Sequence, residues 1–340
     1  MKRSLLRIIS ALLLAAMLMP LVSCIPKETR FSISWFDYFD TVITLTAYAP
    51  DRAAFDAASR KTEECFQRYH RLFDVYNEYE GIINLASVNR MAGEETAVEG
   101  EIIKLLALGK EYEKLTNGKL NIAMGAVLAL WHDAREQAAL DPGHAAIPDK
   151  EALISASAHC DINKIVLNSE KNTVTLLDPE MRIDVGAIAK GYAADRAAEI
   201  LSETGYPFLL NCGGAVLAGG KKPGGESWTA GILDPFSDGF AETVNVSDAA
   251  LSTSGSYLRS FSVGGRNYGH IIDPDTLMPA EKVASMSVIV PGTTGACLAD
   301  ALSTACFILG TEGAKELLSA VEGAEGIVVE NGGRTSHITN

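Results

Sequence analysis

The chain has 340 residues, 47% of them hydrophobic, and a formal net charge of −14. This length suits one large domain or two closely packed ones. So acidic a protein repels phosphate backbones, which excludes nucleic acid as a partner.

The amino terminus has the pattern of an export signal. A basic start is followed by a mostly apolar run over residues 5–22 and by Leu-Val-Ser-Cys at 21–24. The run is short for a membrane-spanning helix. Its ending resembles a bacterial lipobox with a lipidated Cys24, and an ordinary signal peptide with a chance cysteine is the alternative. We expect a signal peptide at 1–23, a tether at 24–34, a domain at 35–340, and a lipid anchor on the extracytoplasmic face of the cell membrane.

The first half of the domain has alternating strand and helix patterns. A β-rich run at 42–48 predicts a strand, and Asp51 suits the N-cap of a long helix that follows. A polar loop at 74–81 comes next. Further predictions are helices around 101–116, over 121–131 and from Asp149 to 159, a loop at 139–149, and a hairpin of strands 164–168 and 173–177.

The segment IDVGAIAKGYAAD, at 183–195, is the most informative part of the chain. It predicts a strand at 182–185, a tight turn, and a helix over 187–204. Asp184, Lys190 and two glycines cluster where that helix begins. Free backbone N–H groups and the helix dipole favour negative charge at such a position, so a polyanion is the expected ligand.

The remaining elements indicate an α+β fold. A strand at 208–211 ends in Cys-Gly-Gly, and short strands and turns continue to residue 290. Helices at 295–309 and 312–320 precede a last strand at 326–329. Helices combined with hairpin-linked strands favour α+β over a doubly wound parallel sheet.

Two further patterns could carry chemistry. In ADALSTA (299–305), Asp300 and Thr304 share a helix face with Ser303 beside them, which gives hard oxygen donors suited to Mg²⁺. A carboxylate early in a helix also complements the dipole, and spacing alone favours that second interpretation. His270, between a glycine and an Asp-Pro turn, is either a functional base or a structural histidine. Motifs of serine hydrolases, zinc proteases, P-loop proteins and Rossmann enzymes are absent from the sequence.

Taken together, these segments resemble the ApbE family, the FAD:protein FMN transferases. The resemblance covers nearly all of the chain after Cys24 and keeps one order. The matching segments are FDT (39–41, as an N-terminal strand), the loop with Tyr76, GKLNIAMG to LW (118–131), IDVGAIAKGYAAD, NCGG (211–214), STSGSY (252–257), GHIIDPDT (269–276) and ADALSTA. One departure is Leu120-Asn121, where the family often has Phe-Asp.

The resemblance implies an ApbE-like, tunnelling-fold-like α+β architecture with mixed, mainly antiparallel sheets and flanking helices. It also implies a Mg²⁺-dependent reaction that moves FMN from FAD to a Thr or Ser hydroxyl of an exported or membrane flavoprotein subunit and releases AMP. Subunits of sodium-pumping or Rnf-type redox complexes are the expected acceptors.

The same resemblance assigns the site residues. The implied metal ligands are Asp300, Thr304, the carbonyl of Ala187 and a group at Ser303. The implied FAD contacts are Phe39, Tyr76, Lys119, Leu120, Asn121, Asp184, Lys190, His270 and Ile272. We expect His270 to be the catalytic base, with Asp184 as the rival.

Two other functions stay open from the sequence. An FAD pyrophosphatase would use water in place of the acceptor hydroxyl. A substrate-binding lipoprotein of a transporter would have two similar α/β lobes joined by hinge strands, and would give no reason for ADALSTA.

Overall fold

An eight-stranded antiparallel sheet forms the centre of the protein. Its order is β1-β2-β6-β7-β10-β15-β16-β17, and each neighbouring pair is antiparallel. The strands are β1 (Thr29–Tyr38), β2 (Thr41–Ala49), β3 (Glu95–Ala97), β4 (Ile165–Asn168), β5 (Thr173–Leu176), β6 (Phe208–Cys212), β7 (Ala215–Gly219), β8 (Trp228–Leu233), β9 (Phe240–Val246), β10 (Ala249–Gly255), β11 (Ser260–Val263), β12 (Arg266–Gly269), β13 (Ile272–Asp273), β14 (Met278–Pro279), β15 (Ser285–Pro291), β16 (Glu325–Val329) and β17 (Thr335–Ile338).

This computed structural model describes residues 28–257 and 259–339. The predicted signal peptide, Cys24 and the start of the tether lie outside the described residues. Within them, no helix is long and apolar enough to cross a membrane. The helices are α1 (Arg52–Phe73), α2 (Leu85–Arg90), α3 (Gly100–Leu115), α4 (Gly125–Leu140), α5 (Lys150–Ser157), α6 (Ala189–Ser202) and α7 (Ala296–Ser319).

Each face of the main sheet has its own cover. Helices α1, α6 and α7 pack on one face in a core that includes Phe66, Leu210 and Phe307. The β8–β9 hairpin covers part of the other face, where Trp228 contacts a cluster that includes Leu251. Burial alternates along β8, as expected for a strand with one apolar face. The protein thus has a single main sheet with different elements packed on its two faces. This architecture differs from the two similar lobes expected of a transporter's binding protein.

A smaller unit stands beside the main sheet. Helices α4 and α5 and the β11–β12 hairpin share a core in which Trp131 stacks on Tyr268. Trp131 also donates a hydrogen bond from Nε1 to the carbonyl of Leu277, 3.0 Å away. The cavity described below lies between this unit and the helices of the main sheet.

The fold class and most predicted elements are confirmed. The architecture is α+β with mainly antiparallel sheets. Asp51 caps α1 by accepting a hydrogen bond from the Ala54 N–H at 2.8 Å. The predicted hairpin at 164–177 forms β4 and β5. The two C-terminal helices form α7, whose backbone breaks at Gly310, with φ of 73°.

The predicted strand at 182–185 is wrong. Arg182 makes an isolated bridge with Met124, and no ladder continues from it in the described structure. The side chain of Asn89 takes the place of a neighbouring strand, because it accepts from the Ile183 N–H at 2.7 Å and donates to the Ile183 carbonyl at 2.9 Å. The helix that follows begins at Ala189 and not at 187.

Other boundaries also differ from the sequence predictions. Residues 29–34, predicted as tether, belong to β1 and pair with β2. Phe39 and Asp40 form a two-residue turn between these strands and not a strand, since both have positive φ. Helix α4 begins later and ends later than predicted, at Leu140, which shortens the loop expected from 139. The strand at 326–329 is followed by β17, which pairs with it.

Candidate active site

A cavity of about 1360 Å³ gathers nearly all of the predicted site residues. Its walls include the first turn of α6, the part of α7 that carries Asp300 and Thr304, the β1–β2 turn, the loop after α1, the β8–β9 hairpin, β10 and the segment after β12. Ser303 is fully buried and is not part of the wall. The predicted residues that line the cavity are Phe39, Tyr76, Lys119, Leu120, Asn121, Asp184, Ala187, Lys190, His270, Ile272, Asp300 and Thr304.

The carboxylate of Asp300 lies at the centre of a polar network. Only 3% of the residue is exposed. Its Oδ2 accepts from Lys190 Nζ at 3.0 Å and from the Gly191 N–H at 2.8 Å, and its Oδ1 accepts from the Ser252 hydroxyl. Burying a carboxylate is costly unless it is paired and hydrogen-bonded in this way. Asp300 is therefore more than a surface charge that complements its own helix.

Hydroxyl groups continue this network along α7. Ser254 Oγ lies 2.9 Å from Ser303 Oγ and 3.3 Å from Thr304 Oγ1. Ser303 also donates to the Asp300 carbonyl one turn earlier, at 3.1 Å. The Ser303 hydroxyl thus ties α7 to β10, while Thr304 reaches the cavity.

The turn before α6 presents Asp184 to the cavity. Its backbone N–H donates to the Ile122 carbonyl at 2.9 Å, and its Oδ1 accepts from the Gly186 N–H at 2.8 Å. Burial raises the pKa of Asp184 above its ordinary value, although that hydrogen bond and the charges of His132 and Arg135 oppose the shift. A carboxyl with a raised pKa is suited to accept a proton.

His270 is an uncharged imidazole at neutral pH. Burial, followed by the positive charges of Arg259 and Arg135, lowers its pKa to about 4. Its Nδ1 is buried and has no hydrogen-bond partner among the residues that the structure describes. Buried polar atoms are normally hydrogen-bonded. An unpaired ring nitrogen is therefore more typical of a histidine that bonds a substrate group than of a structural histidine.

Two arginines in the cavity wall have no signature in the sequence. Arg135 extends from α4 and lies 2.9 Å from His132 Nδ1, and Arg259 donates to the Asp40 carbonyl at 3.1 Å. With Lys190 they place positive charges in a cavity whose lining also includes carboxylates such as Asp184 and Asp300. Isolated arginines carry no spacing pattern, and only the fold brings them together.

Lys119 and Asn121 use their polar groups within the protein. Lys119 Nζ pairs with Asp273 at 2.8 Å and with Asp275 at 2.7 Å, so its charge is already compensated. Asn121 donates to the Cys160 carbonyl and accepts from the Ala123 N–H. Both residues shape the cavity wall, and Leu120 adds a buried apolar surface to it.

Aromatic rings flank the cavity on the side of the loop after α1. Tyr76 is 56% exposed and stacks on His132, with ring centroids 4.5 Å apart. Phe39 has φ of 54°, which is unusual for a bulky residue, and its ring packs edge-on against Phe66 and His70. Such rings suit the planar rings of a nucleotide ligand.

The oxygen donors in the cavity lining are of the kind that a hard divalent cation prefers. Asp300 supplies a carboxylate, Thr304 a hydroxyl and Ala187 a carbonyl, and all three line the same cavity. The described residues contain no cluster of three or more His, Cys, Asp or Glu that would form an all-protein cage. Mg²⁺ commonly binds through one or two carboxylates together with substrate phosphates, and this donor set matches that habit.

Comparison with known proteins identifies a family. The model of the ApbE family matches residues 39–328. A FAD:protein FMN transferase of Treponema pallidum (strain Nichols) is 35% identical over 263 residues, which are 72% of this chain and 70% of the relative. A FAD:protein FMN transferase of Haemophilus influenzae is 29% identical and covers 92% of this chain and 90% of its own length.

Solved structures agree in fold. The crystal structure of the ApbE protein from Thermotoga maritima superposes with a TM-score of 0.79 at 26% identity, and covers 91% of this chain and 96% of that protein. The apo form of the flavinyl transferase ApbE from Pseudomonas stutzeri has a TM-score of 0.74 at 22% identity, over 91% and 95% of the two chains. The second match supports the fold alone.

Proposed function

The chain belongs to the ApbE family, and we propose that it transfers FMN from FAD to a Thr or Ser hydroxyl of a protein and releases AMP. One observation carries the proposal. Lys190, Asp300 and His270 line one cavity, so a cationic group, an oxygen ligand for a metal and a neutral base surround the same space. Phosphoryl transfer needs these three functions and little covalent help.

We expect a Mg²⁺ ion at Asp300, Thr304 and the carbonyl of Ala187. When bound, Mg²⁺ would neutralise pyrophosphate charge and favour departure of AMP. Lys190 would bind the pyrophosphate directly, and Arg135 and Arg259 would add attraction for the anion. The apolar wall around Leu120 and the rings of Tyr76 and Phe39 would orient the ring systems of FAD.

The bond changes are those of one substitution at phosphorus. The acceptor oxygen attacks the phosphorus atom that carries riboflavin, the bond from this atom to the bridging oxygen breaks, and AMP leaves with the electron pair. The hydroxyl proton passes to a ring nitrogen of His270. The nearby pyrophosphate would raise the pKa of His270 from its low value, which makes the ring a better base. Asp184 is the rival base, because its pKa is also raised.

The acceptor segment would approach along an uncharged wall of the cavity. This wall consists of β2, with Val42 and Thr44, and of the β8–β9 hairpin, with Leu233 and Phe240. The Phe240 ring lies against Gly231, where an added Cβ would come within 2.4 Å of it, and remains 62% exposed. Such exposed apolar side chains at a cavity mouth are typical of surfaces that receive a partner.

We also propose that the enzyme is anchored outside the cytoplasm through a lipid on Cys24. The lipobox-like sequence at 21–24 supports this, and flavoprotein subunits of sodium-pumping or Rnf-type redox complexes would be its acceptors. Incorporation of labelled palmitate tests the anchor. The label should appear in the wild type and be absent from Cys24→Ala, and its absence from both would rule out lipidation.

The transferase is tested by incubating the protein with FAD and Mg²⁺ in the presence and absence of an acceptor peptide with an S/T-G-A-T motif. We expect covalent flavin on the peptide, AMP in equal amount, and loss of both when a chelator is added. Release of FMN without peptide labelling would instead identify an FAD pyrophosphatase.

A further inference from the structure

Helices α6 and α7 both reach the candidate metal site within their first two turns, and neither has a side-chain cap of its own. Neither Ile188 nor Gly295, the N-cap residues, provides a side-chain hydrogen bond. The first turn of a helix leaves several N–H groups without partners, and burial makes such groups costly. Each of these two helices is instead capped by a carboxylate from the other.

The two caps are reciprocal. Asp195 on α6 accepts from the N–H groups of Ala296 and Cys297, the first residues of α7, at 2.8 and 3.0 Å. Asp300 on α7 accepts from the Gly191 N–H, in the first turn of α6, at 2.8 Å. The exposed fractions of Asp195 and Asp300 are 4% and 3%. The helices are thus locked to each other at the end where they face the cavity.

From this geometry we propose that Asp195 is a positioning residue for the metal site. By holding the start of α7 against α6, it fixes where Asp300 and Thr304 lie relative to Ala187 and Lys190. The inference rests on the proposed function, because it assumes that these oxygen donors bind a divalent cation. Asp195 itself does not line the cavity.

The cost of burying this carboxyl supports a role beyond that of a simple cap. Burial, with a smaller contribution from the charge of Asp300, raises the pKa of Asp195 to about 7 against the effect of the two N–H groups and Arg196. Ser or Asn at the helix's own N-cap would accept from an N–H group of the first turn without a second buried acid close to Asp300. A cap donated by the neighbouring helix does what a local cap cannot, because it also fixes the distance between the two helices.

Asp195→Asn tests the proposal in the full chain at pH 8. The asparagine side chain has nearly the same shape as that of aspartate. Its oxygen accepts from one of the two N–H groups, but its NH₂ group faces the other, so the start of α7 should shift. Calorimetric titration with Mn²⁺ alone, without FAD, should show affinity lower by about 10- to 100-fold, as for other changes that disturb the support of a metal ligand. In turnover assays, the decrease in kcat should be larger than the increase in KM for FAD.

Asp51→Asn and Asp51→Ala provide controls, since Asp51 is also a carboxylate cap but caps its own helix, α1, and does not line the cavity. Asp51→Ala should lower thermal stability and Asp51→Asn should change it little, and both should leave Mn²⁺ affinity unchanged. The proposal is overturned if Asp195→Asn binds Mn²⁺ like the wild type, if the Asp51 variants lose affinity equally, or if the wild type binds no Mn²⁺. If the wild type binds Mn²⁺ but labels no acceptor, the proposed transferase activity is refuted. The comparison of Mn²⁺ affinities would then still decide the role of Asp195.

Discussion

Lys190 Nζ lies 3.0 Å from Asp300 Oδ2, so the residue expected to bind pyrophosphate contacts the residue expected to bind a cation. The pair joins the first turn of α6 to the first turns of α7. Because Asp300 is buried and Lys190 is partly exposed at the cavity, the lysine compensates the carboxylate and still reaches the space for a ligand. A change to either residue must alter the electrostatics of the other.

Asp300→Asn should abolish most of the transfer while the fold is retained. The amide keeps the shape but removes the charged oxygen, so Mn²⁺ binding should be lost and the rate should fall on the order of 100-fold or more. The free energy of unfolding should also decrease. Removing one partner of a buried ion pair costs about 3–5 kcal/mol, and the loss should be smaller here because Lys190 is partly exposed to solvent. Mn²⁺ calorimetry, urea unfolding and peptide labelling measure the three effects.

The pair between Lys164 and Asp178 offers a control for that change. Its atoms are 2.8 Å apart, and neither residue lines the cavity. Asp178→Asn should leave labelling and Mn²⁺ affinity unchanged. Equal losses in Asp178→Asn and Asp300→Asn would show that the effect is a general loss of ion pairing and not a property of the site.

The lowered pKa of His270 predicts an acid-sensitive fold. The unfolded chain takes up a proton on this residue near pH 6.5, whereas the folded protein does so only near pH 4. The free energy of unfolding should therefore decrease as the pH falls from about 6.5 to about 4, by up to about 3 kcal/mol. In His270→Gln this part of the pH dependence should disappear, as measured by urea unfolding at several pH values.

The same variant separates the two candidate bases. If His270 accepts the hydroxyl proton, His270→Gln should bind FAD normally but label the peptide far more slowly, by about 10²- to 10⁴-fold. His144→Gln, at an exposed surface position, is the control for both experiments. Undiminished labelling by His270→Gln would leave Asp184 as the base.

Local chemistry made several parts of the fold predictable. The Asp51 cap, the hairpin at 164–177 and the helical spacing of Asp300 and Thr304 depend on neighbours within a few residues, and each is present in the structure. The segment with Asp184 and Lys190 was likewise recognisable as the start of a helix. These features need no knowledge of distant contacts.

Features that depend on distant residues escaped prediction. The segment at 182–185 is not a strand because Asn89, far away in sequence, bonds its backbone. Arg135 and Arg259 meet at the cavity only after α4 and the β11–β12 hairpin have packed together. The capping role of Asp195 has no local pattern, because its partners begin a helix about a hundred positions later.

Phe240→Asp should impair acceptor recognition without affecting FAD. The change puts a charge on the uncharged wall where we expect the acceptor segment, so KM for the peptide should rise by about 10-fold or more. FAD affinity, measured by calorimetry, should be unchanged. Phe236→Asp is the matched control, because Phe236 is similarly exposed just before β9 but does not line the cavity. Loss of FAD affinity in Phe240→Asp would place the flavin, and not the acceptor, on this wall.

Gly191→Ala should separate the two helices that carry the site. An added Cβ would lie 2.4 Å from the Ala296 carbonyl oxygen, 2.6 Å from its carbon and 2.7 Å from the Cys297 Cα, all of them backbone atoms that cannot rotate away. Alanine is the better helix former by about 1 kcal/mol, but overpacking of this kind typically costs about 1–3 kcal/mol and should outweigh that gain. Because the clash falls beside the hydrogen bond from Gly191 to Asp300, both Mn²⁺ affinity and stability should decrease.

At Gly100, the first residue of α3, the nearest atom to an added Cβ is a side-chain oxygen at 3.4 Å, so Gly100→Ala should be neutral or stabilising. Urea unfolding and Mn²⁺ calorimetry of the two variants make the comparison, and a Gly191→Ala protein as stable and as metal-binding as Gly100→Ala would contradict the close helix contact.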